Sequence, residues 1–270
     1  MGDYPFRGDG QIVRDYGKNL ATTALTQLTA PVVDNQKGAW LEIVSSLAIN
    51  AKALLIHFTP STQTSRLYLV DFAVGASGSE QIFLNNLFVT IAATATPAIA
   101  HFPISIPAGS RISARYQADT AASSNVRVAI TALSTGFFTA SPYSRIVTIG
   151  ANTATSGGTT ISPGNGVKGS YAQLTASLAN DMSALLIAIG NVGFVQTQVA
   201  YQMDISVGSS GFETVLIPDL GVVDDNGTDS FQPKIIGPLP INIKAGTRIA
   251  VRGRTTTAGT SVGMVLYGLS

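Results

Sequence analysis

The stretch that decides the fold reads VDFAVGASGSE at residues 70–80, and it returns as MDISVGSSGFE at residues 203–213. The aspartate, a valine, both glycines, a serine and the glutamate keep the same register in the two copies. An internal repeat fixes the architecture before any single strand is assigned. We infer a tandem duplication of one folding unit.

The repeat extends outward from this stretch in both directions. An offset of 133 positions joins Asp71 to Asp204, and small insertions change the offset along the chain. Other matched segments are ALLI at 53–56 and 184–187, and PISIPAGSRISAR at 103–115 with PINIKAGTRIAVR at 240–252. We predict an N-terminal arm at residues 1–10, a first β-sandwich domain at 11–134, a linker at 135–144 and a second domain at 145–270.

Composition narrows the class of protein. The chain has no cysteine, so disulfides and thiol chemistry are excluded. With 11% charged residues and a net charge of +1, it lacks the clustered basic residues of a nucleic-acid-binding surface. The longest apolar run, residues 184–189, is far shorter than the roughly 20 residues of a membrane-spanning helix. We predict no nucleic-acid and no membrane partner.

Periodicity predicts strands throughout. Apolar and polar residues alternate over residues 66–74 and 126–130, and turn-forming residues separate such segments. Residues 53–58 form a short apolar run, which predicts a strand buried on both faces. The pattern indicates an all-β protein of two tandem antiparallel β-sandwiches. About eight strands per unit favour a jelly roll, with an immunoglobulin-like sandwich as the alternative.

Charged residues recur at equivalent positions in the two copies. They are Asp71, Glu80, Arg111 and Arg115 in the first copy, and Asp204, Glu213, Arg248 and Arg252 in the second. An arginine fork binds carboxylate or phosphate well, so a duplicated anion site is one interpretation. The other is a structural corner, in which the acids accept hydrogen bonds in the glycine turn and pair with arginines of a neighbouring strand. We favour the structural corner because it needs no ligand.

No catalytic, cofactor or metal constellation emerges. His57 and His101 have no matched partner and stand outside the spacings of zinc-binding helices. The glycine turns lack the Gly-x-Ser-x-Gly pattern of a nucleophilic serine and the Gly-Lys ending of a phosphate loop. The acidic loop Asp224–Asp229 leaves calcium open, although Asn-Gly within it is a good hairpin turn. We predict a non-enzymatic protein without cofactor.

Two of the quoted motifs carry a resemblance. VDFAVGASGSE and IPAGSRISAR, residues 106–115, resemble stretches in virion proteins of tailed bacteriophages. The resemblance implies a particle component that is built of β-sandwiches and is usually multimeric. It implies no functional residues.

Three functions follow as expectations. The first is a tail fibre, adaptor or receptor-contact protein of a virion that contacts other virion proteins as a homo-oligomer, with a trimer favoured. The second is a capsid decoration protein that clamps its neighbours with the arm carrying Tyr4 and Phe6. The third is a carbohydrate-binding module that recognises a host surface glycan through the aromatic residues Phe194, Tyr201 and Phe212.

Overall fold

The computed structural model describes residues 12–19, 24–60, 66–91, 98–121, 126–134, 143–191, 199–224, 234–257 and 260–270. Within these ranges the regular structure is all strand. The predicted fold class, two tandem β-sandwich domains, is confirmed. No helix in the described part of the chain is long and apolar enough to cross a membrane. The arm at residues 1–10 and most of the predicted linker, residues 135–142, lie outside the described ranges.

The first domain is a jelly roll. Its strands are β1 (Val13–Tyr16), β2 (Lys18–Asn19), β3 (Ala24–Gln27), β4 (Leu41–Val44), β5 (Ala53–Pro60), β6 (Arg66–Val74), β7 (Gln81–Ile91), β8 (Ala98–Phe102), β9 (Ile112–Ala118) and β10 (Val126–Leu133). One sheet has the order β3-β10-β5-β8 and the other β4-β9-β6-β7. Successive strands therefore pass repeatedly from one sheet to the other, which excludes the immunoglobulin-like alternative.

The second domain repeats this topology and adds one short strand, β14, which has no counterpart among the described strands of the first. Its strands are β11 (Ile146–Ile149), β12 (Ala151–Asn152), β13 (Gly157–Ile161), β14 (Gly164–Asn165), β15 (Ala172–Thr175), β16 (Met182–Asn191), β17 (Val199–Val207), β18 (Thr214–Asp224), β19 (Lys234–Ile243), β20 (Ile249–Thr255) and β21 (Val262–Leu269). The sheets have the orders β13-β21-β16-β19 and β15-β20-β17-β18. The named strand pairs are antiparallel except for the short parallel pair of β14 with β20.

The two domains share a core. On β16, Leu185 and Ile187 face the interior of the second domain, whereas Leu186 and Ala188 belong to the hydrophobic cluster of the first domain. This division follows from the two-residue period of a strand, which places alternate side chains on opposite faces. The sheet that contains the paired strands β16 and β21 is therefore buried on both faces, and its outer face packs against the first domain.

The prediction that residues 53–58 are buried on both faces is wrong for the first copy. Leu55 and His57 on β5 are half-buried, whereas their counterparts Leu186 and Ala188 are fully buried. The reason is that only the second domain has a neighbour against its outer sheet face. The ALLI sequence that both copies share does not reveal which sheet is covered, and the copies differ at the next outward position, which is His57 in the first and Ala188 in the second.

Tyr267 anchors the interface between the domains. Its ring packs edge-on against Phe102 at a centroid distance of 5.7 Å, and its hydroxyl accepts a hydrogen bond of 2.7 Å from the Phe88 backbone N–H. Nearby, the Thr148 hydroxyl donates to the Asn85 carbonyl at 2.5 Å. Phe88 and Asn85 lie on β7, an edge strand whose outward backbone groups need a partner. The second domain thus covers the open β7 edge of the first.

A polar network fixes the same interface beside the core. The Gln117 amide donates to the Thr153 carbonyl at 2.7 Å and to the Ser156 hydroxyl at 3.0 Å. That hydroxyl in turn donates to Asn35 Oδ1 at 2.8 Å. Gln117 and Ser156 are both buried, and buried polar groups hold one geometry when their hydrogen bonds are made. Core and network together leave little freedom for the two domains to hinge.

Candidate functional site

The first charged cluster is centred on Asp71, which is 2% exposed on β6. Its Oδ1 accepts hydrogen bonds from Lys37 Nζ at 2.7 Å and from the Asn86 backbone N–H at 2.9 Å. Its Oδ2 accepts from Arg115 Nε at 3.0 Å, across the direct pairing of β6 with β9. Three donors therefore satisfy one buried carboxylate, as burial of a charge requires.

The second domain holds the same cluster around Asp204. Lys168 Nζ donates to Asp204 Oδ1 at 2.7 Å, and the Asp219 backbone N–H donates to it at 3.0 Å. Arg252 Nε donates to Oδ2 at 3.0 Å. Lys168 Nζ also lies 2.9 Å from the Asp219 carboxylate. The counterpart of Asp219 in the first domain is Asn86, which is uncharged, so Lys37 has no second carboxylate there.

The remaining predicted residues form a separate cluster at the glycine turn between β6 and β7. Arg111 Nη1 donates to the Gly75 carbonyl at 3.1 Å and lies 3.3 Å from Glu80 Oε1. Glu80 Oε2 accepts from the Gly78 backbone N–H at 3.0 Å. Arg111 also reaches Glu42 at 2.8 Å. The turn is thus tied to the neighbouring strand through one arginine.

The turn between β17 and β18 carries the same contacts. Arg248 Nη1 donates to the Gly208 carbonyl at 3.1 Å and to Glu213 Oε1 at 2.8 Å. Glu213 Oε2 accepts from the Gly211 backbone N–H at 3.0 Å. The structure therefore divides the eight predicted residues into two clusters per domain, an aspartate cluster within the sheet and a glutamate cluster at the turn.

Sequence reasoning missed the lysine and the aromatic residue of each aspartate cluster. Arg115 stacks over Trp40 at 4.4 Å from the ring centroid, and Arg252 over Tyr171 at 4.7 Å. The signal was present, because KGAW at residues 37–40 answers KGSY at 168–171 with one offset. These residues precede β4 and β15 in loops, where no strand periodicity draws attention to them.

The pKa shifts in the aspartate clusters agree with their hydrogen bonds. Burial lowers the pKa of Lys37, an effect that Asp71 opposes and Arg115 reinforces. Burial alone would raise the pKa of Asp204, but hydrogen bonds from Lys168, the Asp219 N–H and Arg252 together lower it. The Asp204 carboxylate is thereby held ionised beside Lys168 and Arg252. An added anion would have to compete with the aspartate for the Nε–H of these arginines.

The lowered pKa of Asp204 predicts a pH dependence of stability. A carboxylate with a depressed folded-state pKa stabilises the fold above its ordinary pKa of 3.8, and this contribution is lost as pH falls through the folded-state value. We expect the difference in unfolding free energy between the natural protein and Asp204→Asn to be constant from about pH 7 to 5 and to shrink below about pH 4. Urea denaturation at a series of pH values measures it. A difference that grows on acidification would contradict the assignment.

The glycine turn gives a second prediction. Gly75 has φ +114°, and a Cβ there would lie 2.8 Å from the Ser79 carbonyl oxygen. Gly78 has φ +84° with open space around a Cβ. A strained backbone conformation costs on the order of 1–3 kcal/mol of stability. Gly75→Ala should lose an amount at the upper end of this range because its Cβ meets a carbonyl oxygen, and Gly78→Ala an amount at the lower end. Thermal denaturation of both variants tests this order, and equal losses would show that the carbonyl contact adds nothing.

The other candidate residues from the sequence, one histidine and two aromatic residues, differ in exposure and in surroundings. His57 Nε2 lies 2.9 Å from the Thr131 hydroxyl, which donates to Asp15, so the histidine sits in a hydrogen-bonded chain on the sheet surface. Tyr201 is a strand residue of β17 and is 1% exposed, so its proposed stacking on a sugar is wrong. Phe212 is 83% exposed at the β17–β18 turn.

Several predicted residues lie outside the described ranges. They are Tyr4, Phe6, Phe194, Asp225 and Asp229, and of Asp224 only the backbone is described. In the ranges that are described, no group of three or more His, Asp or Glu side chains is placed to hold a metal ion. Calcium binding by the acidic loop, which the sequence leaves open, is not tested by the described residues.

The fold and its paired clusters define a tandem jelly-roll protein with a duplicated, internally satisfied charge network. No family model and no curated protein matches the chain. Solved structures with a similar chain course include PNGF-II, with 10% identity and TM-score 0.39 over 85% of this chain and 59% of that chain. The chain thus spans less than two thirds of that protein's length.

Two further structures cover nearly the whole chain. The tandem CBM22 domains of Paenibacillus barcinonensis Xyn10C show 10% identity and TM-score 0.29, over 97% of this chain and 92% of that one. The infectious bursal disease virus Gx strain structure shows 9% identity and TM-score 0.26, over 98% and 74%. All three TM-scores are below 0.5, so these likenesses carry no argument about function.

Proposed function

We propose that the protein is a non-enzymatic structural component of a bacteriophage virion, assembled as a multimer on the tail as a fibre, adaptor or receptor-contact element. The observation that supports this role is the sheet of the second domain that is buried on both faces. It joins two jelly rolls through one core, so each copy is a single building block with two similar modules. The resemblance of residues 70–80 and 106–115 to virion proteins of tailed bacteriophages supports the placement on a phage particle.

The duplicated charge clusters support a structural role over an anion site. Every carboxylate oxygen of Asp71 and Asp204 already has a protein donor. A trimer of such blocks would present six similar domains, which suits a tail with sixfold symmetry. A monomeric mass for the native protein would count heavily against this arrangement.

Gold-tagged antibody against the protein, applied to intact particles, tests the proposal. Gold confined to the tail supports the fibre or adaptor role. Gold spread over the head would replace it with capsid decoration, and deletion of residues 1–10 should then abolish capsid binding. Particles without gold, in a preparation where the antibody recognises the purified protein, would overturn the virion role.

A carbohydrate-binding role is a second candidate because of Phe212. An aromatic side chain that is 83% exposed at a turn is available to stack on a sugar ring. Glycan-array binding by the natural protein that is lost in Phe212→Ala would support this role. An array without hits would exclude it.

A further inference from the structure

The interface between the two domains joins two unlike surfaces, and each surface has a counterpart on the other domain. Within the chain, the outer face of the β16–β21 sheet covers the β7–β8 edge. The equivalent outer face on the first domain, formed by β5, β8 and β10, is named here the free face. The equivalent edge on the second domain, formed by β18 and β19, is named the free edge.

The free edge keeps the apolar character of the covered one. Leu84 and Leu87 on β7 are fully buried, whereas their counterparts Ile217 and Leu220 on β18 are partly exposed. Other aliphatic residues of the free edge, also partly exposed, are Leu216, Ile236, Leu239 and Ile241. These residues pack in part against the core of the second domain and stay partly exposed on two edge strands, which favours an interaction surface there.

The free face carries matching apolar residues. Ile99 on β8 is 57% exposed and pairs with His57, as Ile235 pairs with Ala188 in the second domain. Ile235 packs against the core cluster of the first domain. Ile99 is therefore an exposed isoleucine at a position that, in the other copy, lies in a buried interface.

The residues that differ between the copies are polar on both surfaces. Asn86, whose carbonyl lies 3.3 Å from the Tyr267 hydroxyl, is replaced in the second domain by Asp219. Across the interface, Ala188 and Tyr267 are replaced in the first domain by His57 and Thr131. If the internal contact were repeated between two chains, a carboxylate would face an imidazole and a hydroxyl.

We propose that copies of the chain associate head to tail, with the free edge of one copy covered by the free face of the next in the geometry of the internal interface. Such a contact joins two different surfaces and therefore generates a closed ring or an open filament. The inference deepens the proposed self-assembly and rests on it for its biological setting. The contact itself is tested on the purified chain, so its failure is distinguishable from the absence of the protein on particles.

Two variants each remove one surface. Ile99→Glu places a charge on the free face at an exposed position, where folding should be unaffected. Gly221→Glu acts on the free edge, at the counterpart of Phe88, where a Cβ meets nothing within 4 Å. Phe212→Glu, at an exposed position on neither surface, is the matched control. Circular dichroism verifies that all three variants fold.

Analytical ultracentrifugation of the full chain gives the decisive readout. We expect the natural protein and Phe212→Glu to sediment as oligomers, and Ile99→Glu and Gly221→Glu each to sediment as monomers. An equimolar mixture of the two monomeric variants should form a dimer and nothing larger, because each supplies the surface that the other lacks. A monomeric natural protein, unchanged assembly of either variant, or a mixture that stays monomeric would overturn the proposal.

Discussion

Replacing Asp71 with asparagine should lower the free energy of unfolding by about 3–5 kcal/mol, the usual loss when one partner of a buried ion pair is removed. Lys37 and Arg115 would remain beside each other at low exposure without their shared carboxylate. Urea denaturation at pH 7 measures the loss. The loss should appear without any change in the fold, because the asparagine has the same shape as the aspartate.

The two copies supply an internal comparison for this prediction. Asp204→Asn should cost less than Asp71→Asn, because Lys168 keeps the Asp219 carboxylate at 2.9 Å. Asp181→Asn is the surface control, since its partner Lys244 is 81% exposed and such pairs contribute about 0–1 kcal/mol. If Asp71→Asn cost no more than Asp181→Asn, the aspartate cluster would not be a stabilising corner.

Replacing Tyr267 with alanine should cost about 3–5 kcal/mol and also uncouple the two domains. The substitution removes the ring that packs on Phe102 and leaves the buried Phe88 N–H without its acceptor. Tyr267→Phe should cost only about 1–3 kcal/mol, since it loses the hydrogen bond and keeps the ring. Equilibrium unfolding of both variants measures these losses.

Leu266→Ala separates coupling from simple loss of stability. Leu266 is the neighbour of Tyr267 on β21 but faces the interior of the second domain. The Leu266→Ala substitution should lower the free energy of unfolding by a similar amount, about 2–5 kcal/mol, without uncoupling the domains. If Tyr267→Ala and Leu266→Ala gave the same pattern of unfolding in both domains, Tyr267 would not be the link between them.

The repeat made much of the fold predictable. Two copies with Asp, Gly and Glu in one register predicted two tandem β-sandwiches, and strand count favoured the jelly roll that the sheet order shows. The repeat also contained information that was not used. Tyr201 is the counterpart of Tyr68, which lies in the alternating stretch predicted as a strand, so its burial followed from the duplication itself.

The packing between the domains was not predictable in the same way. The runs at residues 53–58 and 184–189 both begin with ALLI and differ at the outward pair His57 and Ala188, and only the second run is buried on both faces. Which sheet is covered depends on how one domain docks on the other, and that is set by contacts such as Tyr267 with Phe88 across 179 positions of sequence. The shared ALLI sequence contains no information about such a distant partner, and only the exchange of Ala188 for His57 distinguishes the two faces.

The most direct test of the central claim, that the two jelly rolls form one building block, uses the equivalence of Trp40 and Tyr171. The chain has a single tryptophan, Trp40, which reports on the first domain. The double variant Trp40→Tyr, Tyr171→Trp moves this probe to the matching position over Arg252 in the second domain. Urea unfolding is then followed by tryptophan fluorescence in both proteins, with circular dichroism as the common reference.

If the two domains unfold as one block, each fluorescence transition coincides with the circular dichroism transition of the same protein, as cooperative two-state unfolding requires. In Tyr267→Ala versions of both proteins the fluorescence transitions should separate. Fluorescence transitions that differ in midpoint while Tyr267 is intact would mean that each domain unfolds by itself. That result would contradict the fused tandem on which the proposed structural role depends.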